Sequence, residues 1–107
     1  MADLGAIKWD GQSGKEYEYH IYTLDETHKA IPANYVFVKQ TEPKRYRPLY
    51  VGETNNISER FENHEKWPDL KKNGVTHVCT HESSSDKKVR TNEESDIIAK
   101  WKPVCND

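Results

Sequence analysis

Two β-rich runs, residues 34–40 (Asn-Tyr-Val-Phe-Val-Lys-Gln) and 46–52 (Tyr-Arg-Pro-Leu-Tyr-Val-Gly), bracket the short polar stretch Thr41-Glu42-Pro43-Lys44-Arg45. Apolar, β-branched and aromatic residues on both sides of a polar, Pro-containing connection predict a hairpin, and a hairpin needs a sheet to join. If pairing centres on the loop, Tyr35 comes close to facing Tyr50. Upstream, Tyr17, Tyr19 and Ile21 alternate with Glu18, His20 and Tyr22, the period of a half-buried strand, with a turn before it at residues 11–14. Residues 75–81 read as a third strand of the sheet.

Two helices are expected. The first spans about residues 55–65, with Thr54, Asn55 and Asn56 as candidate caps, Ile57 and Phe61 on its apolar side, and Trp67-Pro68 closing the stretch. The second spans residues 86–102, with a stripe of Ile97, Ile98 and Trp101, Val89 further back, and Pro103 as its stop. Past the N-terminal segment the order is strand, strand, helix, strand, helix, which is a small α+β layer structure.

Size and charge narrow the function classes. The 107 residues suit one domain, and 16 Lys+Arg against 18 Asp+Glu exclude a histone-like polycation. Only 34% of the residues are apolar, so the 10% that are aromatic must supply much of the core area. No apolar run approaches the ~20 residues that span a bilayer, and no basic-then-apolar leader opens the chain. Cys79 and Cys105 allow one disulfide at most and lack C-x-x-C spacing, so both are expected as reduced thiols in a cytoplasmic protein. The near-neutral balance conceals blocks. Residues 39–50 hold four basic and one acidic side chain, and residues 71–90 hold five and two.

Polar residues also share the apolar stripes. Arg60 and His64 lie three and seven residues after Ile57, and Glu94 lies three, four and seven before Ile97, Ile98 and Trp101. A charge beside an apolar stripe is costly unless it is paired or bound. Two readings stay open at this level. These residues form a site, or Glu94 pairs with Arg90 while Arg60 and His64 keep their heads in water.

Tyr35, the run Leu49-Tyr50-Val51-Gly52-Glu53-Thr54-Asn55-Asn56-Ile57-Ser58-Glu59-Arg60, then His64, Glu94, Pro103 and Asn106 together resemble the GIY-YIG nuclease domain. The resemblance covers about residues 32–106, so residues 1–31 become an N-terminal extension, expected to be β and packed on a nuclease-like domain at 32–107. It implies a three-stranded antiparallel sheet flanked by helices, with an extra N-terminal β segment. Where the family usually has Gly-Ile-Tyr, this chain has Ala33-Asn34-Tyr35, and Ala cannot take a positive φ as Gly can.

What the resemblance implies chemically is divalent-metal-dependent hydrolysis of phosphodiesters. Glu94 would be the single carboxylate ligand of Mg²⁺ or Mn²⁺. Tyr50 would be the general base, with Tyr35 helping to orient water. Arg60 would meet charge building in the transition state, and His64 would relay a proton or bind phosphate. Gly52, Thr54 and Asn106 would support the site.

A rival metal reading comes from His77, Cys79 and His81, which share one strand face. Adjacent positions on one strand suit tetrahedral zinc poorly, and no fourth ligand stands out, so an ordinary strand is the reading kept.

For nucleic acid, DNA before RNA, the phosphate-contacting candidates are Lys39, Lys44, Arg45, Arg47, Lys87, Lys88 and Arg90. No sequence-reading motif accompanies them. The expectation is therefore an endonuclease of low intrinsic specificity, with a protein partner supplying target choice and no membrane involved. The alternative is an inactive binding module, for nucleic acid or protein, on the same fold.

Overall fold

The computed structural model describes residues 3–59 and 64–106. In chain order the elements are β1 (Ala6–Asp10), β2 (Glu16–Thr23), β3 (Ala33–Glu42), β4 (Arg45–Thr54), α1 (Trp67–Lys72), β5 (His77–Glu82) and α2 (Lys87–Trp101). The strands form one sheet in the order β1-β2-β5-β3-β4, with every neighbouring pair antiparallel. The fold is α+β, as expected. The three-stranded sheet is corrected to five strands. The alternating segment at 16–23 does not stand apart, because β2 pairs with β5 from His20↔Thr80 to Thr23↔His77 and brings β1 with it.

Alternation assigns the two faces. Tyr17, Tyr19 and Ile21 of β2 join Val36, Val38, Val51 and Cys79 in a cluster closed by Ile97 of α2. Tyr35, Phe37, Leu49 and Val78 face the other way, packed by Leu70 of α1 together with Ile57 and Cys105. β3 is interior and covered on both sides, so residues 33–38 are buried without a break.

The hairpin forms with a tighter tip than the sequence suggests. Glu42 pairs with Arg45, leaving Pro43-Lys44 as the turn, and Lys44 takes a left-handed φ of 64°. Tyr35 sits opposite Gly52, and Phe37 opposite Tyr50, two residues from the expected pairing. Ala33 is an ordinary strand residue with no positive φ, so the missing glycine there has no backbone consequence.

The first helix is displaced. Residues 55–59 are turn and bend, and residues 60–63 of the expected helix lie outside the described residues. Polar side chains compete for the backbone in the described part. Thr54 Oγ1 accepts the Asn56 N–H, and Asn56 Oδ1 accepts the Ser58 N–H. The helix begins instead at Trp67, with Pro68 in its first turn, where the missing N–H costs nothing. Trp67-Pro68 opens a helix rather than closing one.

α2 is capped by Asp86, whose carboxylate accepts the Lys88 N–H, and ends at a left-handed Lys102 before Pro103. Its buried residues are Arg90 and Ile97, whereas Val89 and Trp101 are exposed. The buried stripe therefore runs through Arg90, with neither Val89 nor Trp101 in it.

Two anchors fix α2 and β4. Asp96 accepts from Ser13 N–H, Ser13 Oγ–H and Tyr17 O–H, tying α2 to the β1–β2 hairpin. Beyond α2 the chain runs along the outer edge of β4. Cys105 N–H donates to Leu49 O, and the Asn106 amide both accepts from and donates to the Val51 backbone at 2.9 Å each. That edge is thereby covered rather than left open to another strand. Among the described residues no helix is long and apolar enough to cross a membrane. Cys79 and Cys105 are buried free thiols.

Candidate active site

Tyr35 leans across β4 onto Gly52. A Cβ at position 52 would lie 2.4 Å from Tyr35 Cζ and 2.5 Å from Oη, so only glycine leaves room for the ring. One residue earlier in β4, Val51 points to the opposite face, and the residue before that, Tyr50, returns to the Tyr35 side. The Tyr35 and Tyr50 rings stand 6.2 Å apart between centroids.

His64 completes the cluster from just before α1, outside any helix. Its ring meets Tyr35 at 5.9 Å, Tyr50 at 5.1 Å and Phe37 at 5.6 Å. His64 Nδ1 accepts the Lys66 N–H at 3.1 Å, and Nε2 lies 2.8 Å from Tyr35 Oη. Burial holds this imidazole below its ordinary pKa, which favours the neutral form. With Nδ1 accepting, the neutral ring carries its proton on Nε2 and donates it to Tyr35 Oη. Tyr35 then directs its own proton elsewhere.

Glu94 faces this mouth from α2, and Glu53 from β4. Burial raises the Glu94 carboxyl above the usual carboxylate range, and the Glu53 charge raises it further. Burial likewise raises both phenols. The charges of Glu94, Glu65 and Glu53 add to the effect on Tyr50, and Tyr50 and Glu94 add to it on Tyr35. The mouth is thus acidic, and in that field both tyrosines hold their protons. Glu53 itself is met by Arg90, whose Nε donates to it at 3.0 Å while Nη1 donates to the Ser84 and Ser85 carbonyls.

The structure thus groups Tyr35, Tyr50 and His64 by direct contact, with Glu94 within electrostatic reach. Arg60 lies outside the described residues. Thr54 shapes the turn after β4, and Asn106 pins Val51 between Tyr50 and Gly52. Lys39, Lys44, Arg45 and Arg47 are exposed on and around the hairpin, with Arg45 3.4 Å from Glu42. Lys87 and Lys88 are exposed in the first turn of α2. Arg90 is corrected. Only 3% exposed and committed to Glu53, it is an internal strut with no guanidinium to offer a phosphate.

Sequence reasoning missed Glu53 and Glu65 as members of the mouth. Their positions beside Gly52 and His64 were the available signal. His77, Cys79 and His81 do share a face. Cys79 is buried in the core with its thiol pushed up to about 12, and His81 lies 3.3 Å from Glu93. Comparison of the chain with family models, with curated proteins and with solved structures gave no match.

Proposed function

We propose that the chain is a divalent-metal-dependent endonuclease, hydrolysing phosphodiester bonds in nucleic acid, DNA in preference to RNA, with little sequence selectivity of its own. The observation that carries this reading is the acidic mouth in which Tyr35, Tyr50 and His64 touch one another under the field of Glu94. The family resemblance of the Tyr35-to-Asn106 pattern supports it.

Among the described residues no group of three or more His, Cys, Asp and Glu side chains could hold a metal ion. A cation here would therefore rest on the single Glu94 carboxylate, with water and phosphate oxygens completing its shell. Glu94 is a half-buried carboxylate whose charge is disfavoured by burial and by Glu53, so a bound divalent ion would relieve what the fold leaves strained. Glu94 would hold Mg²⁺ or Mn²⁺. Such an ion supplies the positive charge that lowers a neighbouring phenol's pKa and neutralises phosphate oxygens. Tyr50 would take the proton from the attacking water as general base. Tyr35, fixed by Gly52 and by the His64 Nε2–H, orients that water. Arg60 fills the role of the guanidinium that meets developing charge. A cytoplasmic setting and a specificity-giving protein partner belong to the same reading.

One observation favours a second reading. Without a cation both phenols are held protonated, as a binding module without turnover would tolerate. The deciding assay incubates supercoiled plasmid and branched DNA with purified protein, with and without Mg²⁺ or Mn²⁺, beside Tyr50→Phe and Glu94→Gln. Metal-dependent cleavage that drops at least ~100-fold in each variant is expected. Cleavage surviving equally in both variants would mean that the site is misassigned. Binding by all three proteins with cleavage by none would establish the binding module.

A further inference from the structure

A second concavity lies at the opposite end of β4 and α2 from the mouth. It encloses about 360 Å³, within the range of ligand-holding clefts. Tyr46 and Trp101 supply its rings, Arg47 and Lys102 its charges, and Pro48 and Pro103 its apolar walls. Among the described residues its lining holds no carboxylate. That composition is the reverse of the mouth.

Trp101 is the unusual member. It is 39% exposed, although it is the largest side chain of α2. Its exposure does not leave it loose. The indole Nε1–H donates to Asp10 O at 2.9 Å, and the Trp101 and Trp9 rings stand perpendicular, at 89°, with centroids 5.2 Å apart. Lys100, which stands over the ring, is bridged to Asp10, so its charge is answered locally. An exposed aromatic surface is thus held at a fixed angle, beside two cations that have no acid in the cleft to answer them. Lys102 ends α2 with a left-handed backbone and is exposed beside the ring.

We propose that this cleft binds one nucleotide unit of single-stranded nucleic acid, with a base stacked on Trp101 and its flanking phosphates on Arg47 and Lys102. A planar ring with an attached anion is the ligand that uses both features, since rings alone would not need the cations and an anion alone would not need the indole. The choice of nucleic acid rests on the proposed function. The binding itself does not require the mouth to be active.

The test uses the full chain in chelator, so that no cleavage intervenes. A short fluorescent oligothymidylate is titrated by anisotropy at several salt concentrations, against wild type, Arg47→Glu, Lys102→Asn and Trp101→Leu, with Lys29→Glu, exposed in the β2–β3 connection, as a control. Asn at 102 tolerates the left-handed backbone. Arg47→Glu and Lys102→Asn should each weaken binding at least about tenfold, with Lys102→Asn lowering the salt slope by about 0.7. Trp101→Leu should weaken it at least about fivefold. Lys29→Glu should change it less than threefold.

Trp101→Leu also disturbs the Trp9 contact, so the surface variant Arg47→Glu decides if Trp101→Leu fails to fold. Equal weakening by Lys29→Glu and Arg47→Glu would overturn the inference in favour of diffuse charge. Displacement of the oligonucleotide by polyglutamate at equal charge concentration would overturn it in favour of an acidic peptide site. Metal-dependent cleavage with unaltered binding in the cleft variants would overturn this inference alone. Cleft-dependent binding with no cleavage in metal would uphold it and remove the endonuclease.

Discussion

The tyrosine cluster at one end of β4 and the cleft at the other differ in electrostatic character. At the Tyr50–Glu53 end the phenols meet Glu53, Glu65 and Glu94, and burial pushes Glu94 and both tyrosines toward their neutral forms. At the Tyr46–Pro48 end the cleft holds rings, Arg47 and Lys102 without a carboxylate among the described residues. Acidic charge gathers at the first end and basic charge at the second. A polyanion approaching the mouth alone would meet like charge, so grip and chemistry are better served by separate places. The formal net charge of −2 conceals this division completely. It also separates two readouts, because metal should govern events at the mouth while salt should govern binding at the cleft.

The two arginines nearest these sites break the comparison most sharply. Arg90 is buried against Glu53 and two carbonyls, whereas Arg47 is exposed. Arg90→Met leaves the Glu53 carboxylate unpaired beside Glu94, which should cost about 3–5 kcal/mol in urea unfolding. Arg47→Glu should stay within about 0.5 kcal/mol of wild type. If the two losses are equal, the mouth is not the strained end of the molecule.

Gly52→Ala is the next largest expectation. The added Cβ meets the Tyr35 ring at 2.4 Å, and a ring has no flexible end to move aside. A loss of about 1–3 kcal/mol should appear in urea unfolding, because Tyr35 must leave its place against His64. A neutral result would show that Tyr35 has other room and that its bond to His64 is not fixed by Gly52. Asn106→Ala comes third. It removes both hydrogen bonds to the Val51 backbone, and about 1–2 kcal/mol should be lost. No change would mean that the end of the chain does not hold the β4 edge.

Much of this arrangement was legible in the sequence where one period governed it. The alternation of Tyr17, Tyr19 and Ile21 gave β2 and its buried face, and the β-rich runs gave the hairpin and thus the Tyr35–Tyr50 neighbourhood. α2 was legible from its Pro103 stop and from Ile97 and Ile98, whereas its Asp86 cap was not read. What failed depended on partners remote in sequence. The number of strands hinged on β2 finding β5, and the register hinged on where the hairpin tip falls, at Pro43-Lys44, since the irregularities at Phe37/Val38 and Gln40/Glu42 cancel. Arg90 looked like a surface charge because Glu53 is 37 residues away. Trp101 looked like core because hydrophobicity alone does not reveal that Ile97 and Ile98 already fill that side of α2. The displaced helix failed for a local reason, since Thr54 and Asn56 bond the backbone that a helix would need.

The smallest expected effect lies on α2 between the two concavities, where Glu94 and Asp96 titrate with opposite consequences. Hydrogen bonds from Ser13 hold the Asp96 carboxyl below its ordinary range, helped by one from Tyr17. A lowered folded pKa means that the unfolded chain binds the proton more readily. Asp96 therefore stabilises the fold above the ordinary carboxylate range, and that contribution fades as pH falls through and below it. Glu94 has a raised folded pKa, so the folded state holds its proton longer. Its contribution is full below the ordinary range and is lost as pH climbs through the raised value. In metal-free protein the urea midpoint against pH should consequently fall on both sides of a maximum. Asp96→Asn should flatten the acid side and Glu94→Gln the other. Mg²⁺ should do to wild type on that second side what Glu94→Gln does, because a cation at the carboxylate removes its preference for the proton. If Mg²⁺ leaves the profile of wild type unchanged, the mouth does not take the cation that its charges call for, and the two ends of β4 differ in charge without differing in function.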